Sequence, residues 1–301
     1  MRRAASDGTE KVMKKYRIIT DSGCDISAED EERYGIDIMS FDIILGGEAI
    51  RERIDITGRE FLEKIAASED IPKTSQITEY RFEEKFTECV NEGAKDVIVV
   101  LINSAGSQTY ANAVAAAERM KSEGKAGDTR FHVIDSHTYS TGYGYPVVEA
   151  AKKLEAGQSV DRVVAYIEDW FSCCELYLML FNLRHAKKSG RIKAASAVVG
   201  ELMNIKPIVQ MIDGETKVVA KPRGEKKAVN DLVEYLAARA IPKTPFVMGR
   251  SLATELEDEF IEKYKAKTGA QLAMIESVGS VVAANAGTSF IGVFIKGEKR
   301  R

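Results

Sequence analysis

The sequence has few of the residues that build disulfide frameworks or metal sites. It contains four cysteines, three histidines and one tryptophan in 301 residues. The cysteines (Cys24, Cys89, Cys173 and Cys174) show no paired spacing, and no histidine has ligand spacing near the last two. We therefore expect no disulfide framework, no metal and a reducing, cytoplasmic location. We expect Cys173 and Cys174 to be core residues on a helix.

The chain also lacks an excess of one charge and a long apolar run. Lys and Arg total 43 against 46 Asp and Glu, which leaves a net charge of −3 at pH 7. Such a balance gives no electrostatic footprint for a nucleic acid. No apolar stretch reaches the roughly 18 residues needed to span a bilayer, and we expect no secretion signal. We expect no nucleic-acid partner and at most transient membrane contact.

Nucleotide-binding motifs are absent from the sequence as well. No Gly-x-x-x-x-Gly-Lys-[Ser/Thr] pattern occurs, and Gly142-Tyr143-Gly144 lacks both a third glycine and a preceding strand of adequate length. These absences argue against a P-loop and against a dinucleotide-binding turn. We expect no cofactor.

Three predicted strands end in short polar residues. The apolar run Asp96–Ile102 predicts a buried parallel strand and leads into Asn103-Ser104-Ala105-Gly106-Ser107, ahead of a helical pattern. Residues 16–19 lead into Thr20-Asp21-Ser22, and residues 131–134 into Asp135-Ser136-His137. Strands alternating with helices predict a doubly wound, Rossmann-like parallel sheet, with these loops at one edge. Ligands bind at that edge in open α/β sheets.

The second half of the chain has a different pattern. Asp213-Gly214 lies between two β-type runs and predicts a hairpin, so we expect an α+β domain with a mixed or antiparallel sheet. The predicted organisation is as follows: a disordered tail over residues 1–15, an N-terminal α/β domain over 16–157 with a small β-hairpin insertion around 36–56, and a C-terminal α+β domain over 158–301. The ligand cleft should lie between the two domains.

Several local patterns make narrower predictions. They are a strand over residues 36–44, a hairpin turn at Gly46-Gly47, a loop over 71–76, a basic turn over 184–191 and a small-residue helix over 194–203. The basic turn is explained equally well by a solvated loop and by contact with a partner or an anionic head group.

A cluster of hydroxyl side chains is the candidate binding site. Thr74, Ser75, Ser104, Ser107 and Thr109 are neutral donors, and a carboxylate can accept several hydrogen bonds of this kind. For the loop that carries Ser104 and Ser107, the alternative to a binding site is a Ser-rich turn that only caps the helix after it. Nucleophilic catalysis would need a base beside a hydroxyl, and no base is near these residues in sequence. Asp135-Ser136-His137 has the composition of a catalytic triad, but residues adjacent in sequence seldom form triad geometry.

The order of the motifs along the chain resembles the DegV family, from about residue 16 to residue 296. The matching segments are Ile19-Thr20-Asp21-Ser22, Pro72-Lys73-Thr74-Ser75-Gln76, Ser107-Gln108-Thr109-Tyr110, Asp135-Ser136, Lys188-Ser189-Gly190-Arg191-Ile192 and Asn204-Ile205-Lys206-Pro207-Ile208. The resemblance implies two α/β-type domains that hold a long-chain fatty acid between them. It also implies that the carboxylate is presented to a fatty acid kinase, which forms an acyl-phosphate.

The resemblance assigns head-group roles to particular positions. Thr74 matches the threonine of the Pro-x-Thr-Ser-Gln loop, Ser104 matches a serine of the next strand-to-helix loop with Ser107 as its competitor, and Arg191 matches the arginine of a Gly-Gly-Arg-Ile turn. The sequence departs from the family pattern at Gln108 and Ser189, where glycine is expected. It also has Asn285 where a histidine would reach the head group. With Ser75 these residues form the predicted carboxylate site.

The sequence therefore predicts a non-enzymatic fatty-acid carrier with no catalytic residues. The alternatives are a serine hydrolase or acyltransferase that uses Ser104 or Ser107 on a lipid substrate, a binder of another apolar anion, and an interaction protein with a vestigial pocket.

Overall fold

The computed structural model describes residues 15–196 and 204–300. In chain order the strands are β1 (Tyr16–Asp21), β2 (Ile36–Met39), β3 (Asp42–Leu45), β4 (Glu48–Arg51), β5 (Lys73–Ser75), β6 (Asp96–Leu101), β7 (Arg130–Asp135), β8 (Cys174–Leu180), β9 (Ile208–Ile212), β10 (Glu215–Ala220), β11 (Phe246–Arg250), β12 (Leu272–Ser277) and β13 (Phe290–Lys296). The helices are α1 (Ala28–Tyr34), α2 (Gly58–Ala66), α3 (Glu79–Asn91), α4 (Thr109–Ser122), α5 (Thr141–Glu155), α6 (Val160–Cys173), α7 (Arg184–Ser189), α8 (Lys193–Ser196), α9 (Glu225–Arg239), α10 (Thr254–Thr268) and α11 (Ser280–Ala286).

The first sheet is parallel, as predicted. Its strand order is β2-β1-β6-β7, and every neighbouring pair runs in the same direction. The central strand β6 is buried along its whole length, which explains its unbroken apolar sequence. The carboxyl ends of β1, β6 and β7 therefore lie side by side, and the three polar loops follow from them.

A small three-stranded sheet of order β4-β3-β5 lies beside the first sheet. The turn at Gly46-Gly47 joins β3 to β4 as predicted. The single strand predicted over residues 36–44 is wrong, because it divides at Ser40-Phe41 into β2 and β3, which belong to different sheets. The Phe41 N–H donates to Ser22 Oγ at 3.0 Å where the chain leaves the first sheet. The predicted loop 71–76 contains the strand β5, which pairs with β3.

The second sheet is mixed, with strand order β10-β9-β8-β13-β11-β12. Its pairs are antiparallel apart from β11 and β12, which confirms the predicted character of the C-terminal half. Asp213 and Gly214 have φ of 50° and 82° at the β9–β10 hairpin. Positive φ at both turn residues matches the right-handed twist of the strands, so the Asp-Gly prediction is confirmed.

Side chains of β13 alternate between two cores. Phe290 and Phe294 belong to a core shared with the first sheet, whereas Ile291, Val293 and Ile295 pack with α9 and α10. One face of the second sheet is therefore directed towards the first sheet. The other face is covered by the two long C-terminal helices.

Other local predictions need correction. Residues 184–189 form the helix α7 rather than a turn, because His185 and Ala186 are buried on one side while the lysines remain exposed. Of the helix predicted over 194–203, residues 197–203 lie outside the described residues. Cys173 ends α6 and Cys174 begins β8, so only one of them is helical, although both are buried. The predicted domain boundary at residue 157 lies in the turn between α5 and α6, and the division into domains stays a prediction.

Candidate functional site

A cavity of about 430 Å³ lies between the two facing sheets. This volume is within the range of small-molecule sites in proteins. Its larger apolar side chains are buried and come mainly from the second sheet and α11. They include Phe41, Ile102, Leu176, Leu178, Met211, Val278, Val281, Phe290 and Phe294.

Most of the polar residues that line the cavity form a separate group, which we call the polar end; the buried Ser140 does not belong to it. The members of this group are exposed or half-buried, so this end faces the solvent. The group consists of Thr74, Ser75, Gln76, Ser104, Ser107, Gln108, Arg191, Lys193 and Asn285. The cavity is therefore amphipathic, with a polar entrance and an apolar interior.

All six side chains of the predicted carboxylate site line this cavity, whereas Thr109, the fifth hydroxyl of the predicted cluster, is buried and does not. Thr74, Ser75, Ser104, Ser107, Arg191 and Asn285 come from four separate segments of the chain. The structure brings them to the polar end, and their role as carboxylate ligands stays a prediction.

Thr74 and Ser104 are held by neighbouring backbone. Thr74 lies in β5, where it pairs with Ile43 of β3. The Ser104 N–H donates to Asp135 Oδ1 at 3.1 Å, a bond that ties the loop after β6 to the end of β7. These contacts use the backbone of both residues, so their hydroxyls can donate to a ligand.

Ser107 is more committed to the protein than Ser104. Its Oγ lies 2.9 Å from Thr109 Oγ1 and accepts the Thr109 N–H at 3.3 Å. Thr109 Oγ1 in turn accepts the Ile77 N–H at 3.2 Å. Ser107 can donate outward only when Thr109 donates to it, so Ser104 is the more readily available donor.

The polar end carries cations. Arg191 is exposed, and its Nε donates to Gly106 O at 3.3 Å while Nη1 donates to Ser189 O at 2.9 Å. These bonds connect the segment after α7 to the loop after β6. Lys193 lies close by in sequence, and among the described residues no carboxylate lines the cavity. The electrostatics of the entrance therefore suit an anion.

Asn285 lies on α11 and already makes a hydrogen bond inside that helix. Its Nδ2 donates to Val281 O at 2.7 Å. One amide hydrogen and the amide oxygen remain for other contacts. Asn285 can therefore contribute one neutral donor to a ligand at the polar end.

Two buried carboxylates hold the N-terminus of α11 against the first sheet. The Gly279 N–H donates to Asp25 Oδ1 at 2.8 Å, and the Val281 N–H donates to Glu52 Oε1 at 3.2 Å. A Cβ at Gly279 would lie 2.4 Å from Glu52 Oε1 and 2.7 Å from Asp25 Oδ1, so only glycine fits there. Helix N-terminal N–H groups favour negative partners, which explains the pairing.

Burial strongly affects these acids. Burial raises the pKa of Glu52 to about 7, although hydrogen bonds from Ser22, Val281 and Ser280 oppose the change. The pKa of Asp25 lies well above its ordinary value because of burial and the nearby charge of Glu52. The protonation of Glu52 therefore changes near neutral pH, and each of the two carboxyls disfavours the charged form of the other.

The loop after β1 has a structural role. Asp21 accepts the Ile102 N–H at 2.8 Å and the Tyr143 hydroxyl at 2.5 Å, so it joins β1, β6 and α5. Burial raises its pKa to about 6, against the effect of these hydrogen bonds. The cavity lining contains no residue of the segment 20–25. Only two of the three polar loops therefore reach the site.

Sequence reasoning missed several lining residues, notably Tyr139, Ser140 and Lys193. The Tyr139 hydroxyl accepts from Asn103 Nδ2 at 3.3 Å, and burial raises the pKa of Tyr139 to about 12. This hydroxyl is neutral at physiological pH and can donate into the cavity. The signal was available, because Tyr139 and Ser140 continue the polar loop that begins at Asp135.

No histidine lies beside the hydroxyls of the cavity. None of the three histidines, all of them in the described ranges, lines the cavity. Ser136 is buried and its Oγ donates to Thr138 O at 3.1 Å, whereas His137 Nδ1 lies 3.3 Å from Asp135 Oδ2. Asp135-Ser136-His137 therefore does not form a triad, and among the described residues no histidine, aspartate or glutamate lines the cavity beside Ser104 and Ser107.

Within residues 15–196 and 204–300, no three or more His, Cys, Asp or Glu side chains are placed together so that they could hold a metal ion. Over the same ranges no helix is both long and apolar enough to cross a membrane.

Comparison with known proteins gives one consistent family. The model of the DegV family matches residues 15–298. A DegV domain-containing protein of Clostridium perfringens is 32% identical over 252 residues, which cover 83% of this chain and 85% of the relative. A solved structure described as fatty acid binding of a DegV family protein from Thermus thermophilus has 26% identity and a TM-score of 0.79, and it covers 94% of this chain and 99% of that one.

A further solved structure supports the fold. A fatty-acid (stearic acid)-binding protein from Eubacterium ventriosum superimposes with a TM-score of 0.81 at 21% identity, covering 94% of this chain and 98% of that one.

Proposed function

The chain belongs to the DegV family, and from that premise we propose that it binds a long-chain fatty acid in the cavity between its two sheets. The observation that carries the proposal is the amphipathic cavity, which has hydroxyls and cations at its open end and buried aliphatic and aromatic side chains inside. A molecule with one carboxylate and one long hydrocarbon chain matches both ends.

The hydrocarbon chain should supply most of the affinity. Each methylene removed from water contributes about 0.8 kcal/mol, so some fifteen of them offer roughly 12 kcal/mol before the costs of association. One hydrogen bond to the charged carboxylate contributes about 1.5–3 kcal/mol. We therefore expect the polar end to orient the ligand and the apolar interior to retain it.

Within this proposal the hydroxyls of Thr74 and Ser104 donate to the carboxylate. Ser75 and Ser107 lie beside them, and Asn285 offers one further neutral donor. Arg191 is exposed and already bonded to Gly106 O, so its contribution is mainly long-range attraction.

We further propose that the protein is a carrier in the cytoplasm with no reaction of its own, and that its partner is a fatty acid kinase. The solvent-facing polar end is where a second protein could reach the carboxylate and form an acyl-phosphate. The absence of a nucleotide motif in the sequence is consistent with ATP being bound by the partner. Incubating the loaded protein, a candidate kinase and labelled ATP tests this step, and acyl-phosphate should form only when all three are present.

The proposed ligand is tested by extracting the purified protein under native conditions and analysing the extract by mass spectrometry. We expect a long-chain fatty acid in near-stoichiometric amount. Titration of the delipidated protein should then show tighter binding of the free acid than of its methyl ester, because the ester lacks the charge. Only short polar anions in the extract, or equal affinity for acid and ester, would contradict the proposal.

The hydrolase alternative has a separate test. An activated serine reacts with a fluorophosphonate probe, whereas a serine without a neighbouring base does not. We expect the delipidated protein to remain unlabelled under conditions in which a control serine hydrolase is labelled. Labelling that is lost in Ser104→Ala or Ser107→Ala would favour the enzyme instead.

A further inference from the structure

The inner wall of the cavity contains two glycines that face each other across neighbouring strands. Gly249 of β11 pairs with Gly292 of β13, which in turn pairs with Leu178 of β8. All three residues line the cavity. They form one row that runs across the strands of the second sheet, and two of its three positions carry no side chain.

Aromatic side chains lie on both sides of this row. Phe290 and Phe294 lie two residues before and after Gly292, so the period of a β-strand directs all three towards the same face. Both rings line the cavity and are buried. The bare backbone between the rings is a trough across the sheet, which we call the glycine trough.

The two glycines differ in what covers them. A Cβ at Gly249 would lie 2.7 Å from Val278 Cγ1 and 3.1 Å from Ser140 Oγ, so the trough is closed at that end. A Cβ at Gly292 would lie 3.2 Å from Phe290 Cε2 and 3.4 Å from Leu178 Cδ2, which needs only a small adjustment. A methyl group at position 292 therefore fits once the Phe290 ring moves by a few tenths of an ångström, and that group would occupy part of the trough.

Backbone conformation does not explain these glycines. Neither Gly249 nor Gly292 is among the residues with positive φ. A strand interior normally disfavours glycine, because it has no side chain to pack and loses more entropy on folding. A close approach to the backbone is the other physical reason for a glycine in a strand, and Val278 and Ser140 supply it at Gly249. At Gly292 the neighbouring side chains are less close, so the protein itself accounts less fully for that glycine.

We propose that the glycine trough receives the methyl end of the acyl chain and that residue 292 determines how long a chain the cavity accepts. The proposal rests on the proposed fatty-acid function and deepens it. The polar end fixes the carboxylate at the solvent-facing entrance, so the far end of a long chain must lie against the buried sheet. A methyl group at position 292 takes the space of about one methylene, and each excluded methylene should weaken binding about fourfold.

The test compares acyl chains of different length. Wild type, Gly292→Ala and Leu178→Ala are delipidated, and the affinity of each is measured for straight-chain saturated acids from decanoate to eicosanoate. We expect the length of tightest binding to fall by about one or two methylenes in Gly292→Ala and to rise in Leu178→Ala, since the latter opens the trough at its other end. Affinity for decanoate should change less than about twofold in Gly292→Ala.

Val293→Ala is the matched control. Val293 is the neighbour of Gly292 on the same strand, but its side chain is buried in the core on the opposite face. This variant should lose thermal stability and keep the wild-type length preference.

The possible failures can be told apart. If wild type binds no fatty acid, the proposed function is wrong. If wild type binds and the folded Gly292→Ala and Leu178→Ala proteins keep its length preference, or Val293→Ala shifts it equally, the trough proposal alone is wrong. If Gly292→Ala does not fold, the chain-length preference of Leu178→Ala tests the trough proposal by itself: a longer preferred chain supports it, and an unchanged preference contradicts it.

Discussion

Removing the charge of Glu52 should make the stability of this protein less dependent on pH. Glu52 is 1% exposed, and its carboxylate accepts the Ser22 hydroxyl at 2.5 Å and the Val281 N–H at 3.2 Å. Glu52→Gln keeps an oxygen that can accept from Val281 and removes the ionisable group. The variant therefore removes the cost of ionising this side chain inside the protein, together with its repulsion of the Asp25 carboxylate.

The size of the effect follows from the pKa of Glu52. Burial raises this pKa from the ordinary value of 4.5 to about 7, so the folded protein holds the proton more tightly than the unfolded chain does. The stabilising contribution is fully present below about pH 4.5 and is lost as pH rises through about 7. At ~1.4 kcal/mol per pH unit, the loss amounts to ~3 kcal/mol of unfolding free energy.

Two other influences act on the same carboxylate. The N-terminus of α11 favours the charged form, and such an interaction contributes at most about 2 kcal/mol. The nearby Asp25 and Asp21 carboxylates disfavour it, and burial is the largest cause of the raised pKa. Burial and like-charge repulsion therefore outweigh the helix dipole, so stability should fall rather than rise as pH increases.

Urea unfolding of the delipidated proteins between about pH 5 and pH 8 measures the difference. Trp170 is the only tryptophan in the sequence, and its Nε1 donates to Gly142 O at 2.9 Å between α6 and α5. Its fluorescence therefore reports unfolding of the region that contacts both sheets. The unfolding free energy of Glu52→Gln minus that of wild type should rise by about 2–3 kcal/mol across this range.

Glu60→Gln provides the matched control, because Glu60 is an exposed residue of a capping box. Hydrogen bonds from Thr57 lower the pKa of Glu60. The contribution of Glu60 to the unfolding free energy is therefore lost as pH falls, in contrast to that of Glu52, and this loss is confined to more acid pH. A flat difference for Glu52→Gln, or one that falls as pH rises, would refute the reasoning. It would mean that Glu52 is charged throughout and that its charge stabilises α11.

Two further predictions concern the polar end. Thr74→Ala and Ser104→Ala should each weaken fatty-acid binding by about 1–3 kcal/mol without unfolding the protein. The double variant should lose less binding free energy than the sum of the two single variants, because both hydroxyls donate to one carboxylate. Unchanged binding isotherms for both single variants would place the head group elsewhere. Asn285→His should bind more tightly than wild type below about pH 6.5, where an imidazole gains charge, and the advantage should disappear at higher pH. Superimposable isotherms across that range would show that residue 285 does not contact the head group.

The sequence allowed the parallel sheet and the hydroxyls of the polar end to be predicted from local patterns, whereas Arg191 and Asn285 were predicted from the family resemblance. The run Val97–Leu101 is buried at every position and identifies its strand directly. Ser104 follows the parallel strand β6, at the sheet edge where ligands bind. Thr74 reaches the same cavity from β5 of the small antiparallel sheet, a pairing that the local sequence does not contain.

Helix α11 could not be predicted in this way. Its sequence has small and β-branched residues, and Gly279 supplies no side-chain cap. The groups that satisfy its first N–H donors are Asp25 and Glu52, more than two hundred residues earlier in the chain. Only tertiary structure shows that these acids cap this helix.

The loop Thr20-Asp21-Ser22 lies at the predicted edge of the sheet, but it does not line the cavity, for the same kind of reason. By composition it matches the loop that carries Ser104, but Asp21 is directed at the backbone of Ile102 and at Tyr143. A short polar loop at a strand end binds either a ligand or its neighbouring strands. The choice depends on the neighbours, which the local sequence does not contain.

The most direct test of the central claim is a crystal structure of the protein with palmitate bound. We predict that a carboxylate oxygen lies at hydrogen-bond distance, about 2.7–3.2 Å, from Thr74 Oγ1 and Ser104 Oγ. The acyl chain should run inward past Leu178 and end above Gly292. A carboxylate bound against the second sheet, or a palmitate bound outside the cavity, would contradict the account.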